Sequence, residues 1–337
     1  MSDFDSILPL VPVASPAPRD TLAVSPEEYG ARFVDLDFWR PYVALIAAAH
    51  GLPAGEIGMG EPGTFPTFIL DRSHVVKLFG VPFDGPRGWA VERDVARLIA
   101  TSGLAIPAPN VAAAGVLSRE PEWRYLVTRF VAGEPFATAG PDLPAAERLA
   151  VASDLGRMLR DVHALRIPAG TALGGDWPDW TAFIEGQRRG VADRHRAWGT
   201  LPERMLRQIQ GYVAGYHIPD GPPSLVHADL HGHHLIGEAS ETGWAIRGVI
   251  DWGDARIGDR YYELPALHLG LLHGDRPMLR AFLEACEWPD HRSAAFAHRA
   301  MVMTLLHEFN VLEHVGTTVD LDALASLDDL ADAVWHV

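Results

Sequence analysis

Residues 224–254 read SLVHADLHGHHLIGEASETGWAIRGVIDWGD, and no other stretch constrains the fold as tightly. Two apolar runs in it each end on a carboxylate. Leu225 and Val226 lead into His227, Ala228 and Asp229, and the strand-like residues 246–250 stop abruptly at Asp251. Between them Leu235 and Ile236 leave a polar turn rich in histidine, and a loop containing Gly, Ser and Thr reverses the chain. The pattern predicts β elements paired as a hairpin, with Asp229 and Asp251 at their mouths. Carboxylates so placed suit two jobs: accepting a proton from a hydroxyl, and holding a divalent cation against phosphate oxygens.

Protein kinases use His-Arg-Asp, then four residues and an Asn, then Asp-Phe-Gly. Here His227-Ala228-Asp229 is followed after four residues by His234, and later by Asp251-Trp252-Gly253. The spacing fits, and the Asn position holds histidine. The His-x-Asp-Leu-His and Ile-Asp-Trp elements together resemble the aminoglycoside phosphotransferase family of kinase-like, antibiotic-modifying enzymes. Within it, VVKLFG (75–80), DRHRAWGTL (193–201), VHADLHG (226–232) and LLHEFNVLE (305–313) are similar to the branch that phosphorylates hygromycin B. The similarity covers most of the chain beyond about residue 30. Fold relatives act on many hydroxylated small molecules.

Residues 74–79, HVVKLF, form a strand pattern with Lys77 inside it, and Glu92 follows in a helical pattern reaching about residue 100. From these residues alone, a surface lysine and an unrelated glutamate on an amphipathic helix is the better reading. The resemblance implies instead that Lys77 pairs with Glu92 and is held over nucleotide phosphates. It implies that the glycine-containing hairpin at 58–68 covers those phosphates, with Gly60, Gly63 and Thr64 closest. There is no G-x-G-x-x-G and no Walker motif here, so without the downstream elements this is an ordinary hairpin turn. It also implies that Arg129 and Val131, after the strand at 123–130, lend backbone groups to the base, with Thr128 behind it.

The resemblance further implies the roles in the central stretch. Asp229 directs the acceptor hydroxyl, His227 braces the loop, and Asp251 binds Mg²⁺, with Mn²⁺ as an alternative, beside ATP or GTP. His234 stands where the family has a metal-binding Asn. Magnesium resists imidazole, so His234 either keeps only a bracing role, biases the site toward manganese, or impairs turnover. A zinc site built from His231, His233 and His234 is disfavoured, because near-successive residues rarely converge on one ion and a fourth ligand is not evident. Asp259, in the pattern Gly258-Asp259 with Glu263-Leu264, is expected to hold the turn around the loop. Glu308 and Glu313 are candidates to meet ammonium groups of a substrate.

The formal net charge is −16, which argues against a nucleic-acid partner and agrees with a cationic small-molecule substrate. The short basic run at 188–196 is expected to be a solvated or salt-bridged helix face. One cysteine, Cys286, precludes an internal disulfide and is compatible with a cytoplasmic location. The proline-broken residues 1–28 are expected to form an arm and not a signal or membrane segment. Apolar stripes predict helices at 38–50, 144–163, 201–216, 261–272, 277–286, 294–313 and 328–335. The remaining histidines lack metal-ligand spacing and are expected in core or surface roles. The fold implied by the resemblance is α+β and bilobal, protein-kinase-like. A small N-lobe with an antiparallel sheet would span 29–132 and a larger, mostly helical C-lobe 133–337, in a monomer or weak dimer.

Overall fold

The computed structural model describes residues 22–61, 63–174, 177–241 and 243–337. The chain divides into two compact units. The first comprises residues 1–103, 108–132 and 251–253; the second comprises 104–107, 133–250 and 254–337. Most of the expected N-terminal arm, residues 1–21, lies outside the described residues.

The first unit is built on a five-stranded antiparallel sheet in the order β1-β2-β3-β5-β4. Its strands are β1 (Ile57–Met59), β2 (Thr67–Leu70), β3 (His74–Gly80), β4 (Val111–Arg119) and β5 (Glu122–Arg129). Strand side chains alternate between faces. In β3 that sends Val76 and Leu78 into one core with Trp39, Tyr42, Val43, Ile46 and Trp123. Phe79 turns to the other face, where it packs with Phe65, Trp89 and Leu126. Lys77, two positions from Phe79, shares that second face. The two faces are covered by α2 (Leu36–Ala49) and α3 (Gly85–Ser102), which carry Trp39 and Trp89 respectively. Full burial of such side chains stabilises by about 1.5–3 kcal/mol each, which fixes the register of β3 and hence the position of Lys77.

Helix α1 (Pro26–Phe33) begins inside the segment expected to be an arm. Ser25 and Glu28 form a capping box and Pro26 occupies the first turn, so the helix start is written locally in the sequence. Tyr29 and Phe33 bury its inner face.

The second unit is mostly helical. Its longer helices are α4 (Ala145–His163), α5 (Trp177–Arg188), α6 (Val191–Trp198), α7 (Glu203–Ala214), α8 (Arg276–Ala285), α9 (Ala294–Leu306) and α10 (Leu327–Trp335). Two small sheets join them. One is β6 (Glu134–Pro135), β8 (Leu235–Ser240) and β9 (Gly243–Val249) in the order β6-β8-β9; the other pairs β7 (Ser224–Val226) with β10 (Arg256–Gly258). The expected hairpin is therefore β8 with β9, whereas β7 takes a different partner. β10 contains an arginine and a glycine and has no alternation to reveal it. Gly258 is required because a Cβ there would run into the Trp180 ring.

Two predicted helices change. Residues 261–272 form an Asp259-capped 3₁₀ turn (Arg260–Glu263) and a wide π turn (Ala266–Leu271), not one α-helix. Pro265 between them removes a backbone donor. The helix predicted to 313 ends at Leu306, because His307 is extended, with φ −62° and ψ 141°. Glu308 and Glu313 thus lie beyond the helix. No helix among the described residues is long and apolar enough to cross a membrane.

Candidate active site

In the first unit, Lys77 is buried and its ammonium lies between two carboxylates. Nζ is 2.9 Å from Glu92 Oε2 on α3 and 2.6 Å from Asp251 Oδ1. The rings of Phe65 and Phe79 lie 5.7 and 5.4 Å from Nζ. Burial alone would lower the lysine pKa, but Asp251 and Glu92 more than reverse this, so it is raised and the charge is kept. Asp251 holds a left-handed backbone, φ 62°, a conformation that costs a non-glycine residue about 1–2 kcal/mol.

Gly63 and Thr64, on the loop between β1 and β2, are exposed. The Thr64 carbonyl accepts a 2.7 Å hydrogen bond from the Tyr29 hydroxyl, and both residues line a recess of about 460 Å³ with Tyr29, Phe33 and Phe83. Gly60 donates its N–H to Thr67 at 2.7 Å and has no room for a Cβ beside that side chain. Arg129 ends the β3–β5 ladder, while Val131 lies past the strand.

In the second unit, β7 delivers His227, Ala228 and Asp229 into a turn braced from several sides. The His227 N–H donates to Glu263 Oε2 at 2.8 Å, and both residues are wholly buried. His227 Nε2 donates to the Ile250 carbonyl at 2.9 Å, and Nδ1 accepts the Asp229 N–H at 3.3 Å. These bonds define one neutral tautomer, because a carbonyl can only accept. Ala228 is left-handed, φ 69°, and its carbonyl accepts from His307 Nε2 at 3.0 Å. Burial lowers the His307 pKa to about 4, so the ring donates as a neutral group. Tyr262 stacks on His307 with ring centres 4.5 Å apart, and its hydroxyl accepts the Glu308 N–H at 3.0 Å. His234 donates from Nδ1 to the Asp229 carbonyl at 2.7 Å.

The histidine expected to brace the loop, His227, has three such bonds. His307 and Glu263 share that work, and sequence reasoning did not single out His307. Asp259 caps the next turn by accepting from Tyr261 N–H, and Arg299 holds its other oxygen at 2.8 Å. Glu308, a candidate for substrate ammonium groups, is met by Arg256, with both carboxylate oxygens 2.9 Å from one guanidinium nitrogen. Glu313 is exposed. The basic run at 188–196 carries local ion pairs, Arg188 to Glu185 and Arg196 to Asp193, as a salt-bridged face would.

A sheet lysine clamped by a helix glutamate, together with an aspartate loop pinned through its backbone, is the framework of a protein-kinase-like phosphotransferase. The chain belongs to the phosphotransferase enzyme family, whose pattern matches residues 75–296. It is 25% identical to viomycin phosphotransferase of Streptomyces vinaceus over 206 residues, which are 60% of this chain and 68% of that protein. It is 24% identical to lysine-specific demethylase JMJ21 of Arabidopsis thaliana over 271 residues, 64% of this chain. The chain spans 29% of that protein's length. Among solved structures, the GDP complex of aminoglycoside 2'-phosphotransferase-IIIa superposes with a TM-score of 0.65 at 18% identity. The match covers 87% of this chain and 97% of that one, a likeness of fold.

Proposed function

We propose that this chain transfers the terminal phosphoryl group of ATP or GTP to a hydroxyl of a cationic antibiotic, an aminoglycoside and most specifically hygromycin B. The observation that carries this reading is Lys77, a buried ammonium held between Glu92 and Asp251, residues 15 and 174 positions away in sequence. Such an arrangement fixes a positive charge for phosphate oxygens and is costly to keep for stability alone. The net charge of −16 suits capture of a polycation.

Asp229 takes the proton of the acceptor hydroxyl. As it does so, the hydroxyl oxygen bonds to the terminal phosphorus, the bond from that phosphorus to the bridging oxygen breaks, and the electron pair leaves with the nucleoside diphosphate. Lys77 steadies the phosphate tail, while Glu92 keeps the ammonium aimed. Asp251 offers oxygen donors of the kind magnesium prefers, and its side chain is 35% exposed. When bound, the ion neutralises phosphate charge. His234 does not suit magnesium, because imidazole is a poor donor for it and Nδ1 is engaged with the Asp229 carbonyl. His234 therefore keeps the bracing role, and Asp251 is the residue that would hold the magnesium. Nucleotide co-substrates of this kind put the reaction in the cytoplasm.

The test is an incubation with hygromycin B, other aminoglycosides or viomycin, with ATP or GTP and Mg²⁺ or Mn²⁺, read by product mass. One added phosphoryl group that is lost in Asp229→Ala supports the reading. Nucleotide binding with no product from any acceptor overturns the antibiotic assignment.

A further inference from the structure

We infer that the loop after β7 carries a second metal position, selective for a borderline transition ion such as Zn²⁺ or Co²⁺, formed by Asp229, His231 and His234. One ligand atom from each residue lies within 4.8 Å of the others. His231 Nε2 is 3.8 Å from Asp229 Oδ2, and the two imidazole rings stand with centres 3.8 Å apart. Ligands at ~2.0–2.1 Å from a tetrahedral ion are separated by roughly 3.4 Å, so small side-chain rotations close this set.

The backbone explains the convergence. His231 N–H donates to the Asp229 carbonyl at 3.0 Å and His234 N–H donates to the His231 carbonyl at 2.9 Å. These two successive turns fold positions 229, 231 and 234 onto one side, while His233 falls outside the set and is exposed. His234 Nδ1 lies 3.9 Å from Asp229 Oδ2 and donates to the Asp229 carbonyl, which places the ring proton on Nδ1 and the lone pair on Nε2, the nitrogen that a turn of the ring would bring to the ion. A metal-binding histidine is commonly oriented in this way, by a backbone carbonyl on its other nitrogen. His231 binds through Nε2 by moving its proton to Nδ1, giving up the long 3.3 Å bond from the His233 N–H. Two imidazoles and one carboxylate form the facial set that transition ions take with open positions for water, and magnesium does not favour it.

The consequence for turnover rests on the proposed phosphoryl transfer. An ion on Asp229 occupies the carboxylate that receives the hydroxyl proton, so Zn²⁺ added to a Mg²⁺-supported reaction inhibits it. The binding claim stands apart from that reading and is tested without nucleotide. Co²⁺ is titrated into the metal-stripped full chain and followed by its visible absorption. The expected result is one Co²⁺ per chain, bound at least about tenfold more weakly in His231→Gln and within about twofold of wild type in His233→Gln. A His231→Cys variant gains a thiolate-to-cobalt band in the near ultraviolet, which a misfolded loop does not give. No Co²⁺ uptake by the wild type, equal loss in both glutamine variants, or no new band in the cysteine variant overturns the site. Failure of phosphoryl transfer alone leaves the titration standing.

Discussion

Lys77 is the group whose removal tests the architecture most directly. The Glu92 and Asp251 oxygens that touch it are 2.9 and 2.6 Å from the same nitrogen, so they lie at most about 5.5 Å apart. At an effective dielectric of about 20, two unit charges at that distance repel by roughly 3 kcal/mol. Asp251 is about one-third exposed, and solvent screening reduces this to about 1–2 kcal/mol. In Lys77→Met that repulsion appears together with the loss of two charge-assisted hydrogen bonds, and stability falls by about 2–4 kcal/mol. The double mutant supplies the sharper reading. Glu92→Gln destabilises the wild type by about 1–2 kcal/mol, because the ammonium loses a partner. In the Lys77→Met background the same change removes the repulsion and restores about 1–2 kcal/mol. The sign of the Glu92→Gln effect therefore reverses between backgrounds. Urea unfolding of the four proteins, metal-free and followed by tryptophan fluorescence, measures it. If Glu92→Gln costs the same in both backgrounds, the ammonium does not hold these carboxylates together and the site reading fails with it.

Asp229→Asn is expected to lower kcat by about 10²–10⁴-fold while leaving nucleotide affinity within about twofold, measured by steady-state turnover and a fluorescent-nucleotide titration. Gly258→Ala forces a Cβ against the Trp180 ring and is expected to destabilise by about 1–3 kcal/mol in urea unfolding, with β10 displaced from β7. Acid is expected to weaken the fold through buried histidines. Burial brings His195, His268 and His307 to a pKa of about 4, below the ordinary 6.5. Between those values the unfolded chain binds more protons, so this stability is present above about pH 6.5 and is lost as pH falls toward 4, by up to about 3 kcal/mol per group. Urea midpoints at a series of pH values check the slope, and His268→Gln is expected to flatten it.

The lysine–glutamate pair and the strand that carries Lys77 were legible because β3 alternates two buried faces over seven residues, and because its glutamate sits on a helix with its own apolar stripe. The start of α1 was not read, although Ser25, Pro26 and Glu28 mark it, because the surrounding prolines pointed to an arm. The partner of β7 was not. A three-residue strand with arginine, isoleucine and glycine carries no period, and its place is set by Trp180 from α5 and by the Arg256–Glu308 pair. The end of α9 was also hidden, since residues 305–313 keep an apolar rhythm through the point where His307 leaves the helix.

His307 leaves the helix where its ring reaches the Ala228 carbonyl. Ala228 and Asp251 both hold left-handed backbones without being glycine, and neither conformation is visible in residue type. Strain of this kind persists only where the surroundings over-determine it. Around Ala228 they do: His307 takes its carbonyl, His227 takes the Ile250 carbonyl and the Asp229 N–H, and His234 takes the Asp229 carbonyl. Read one at a time along the chain, these histidines look like isolated core residues. Folded together, they bond to backbone groups on both sides of Asp229, whose carbonyl also takes the His231 N–H within the turn, and so hold the loop that carries its carboxylate. His234 supplies one of these donors through Nδ1, and in the transition-ion site inferred above its second nitrogen would take a role that an amide at the same position does not have.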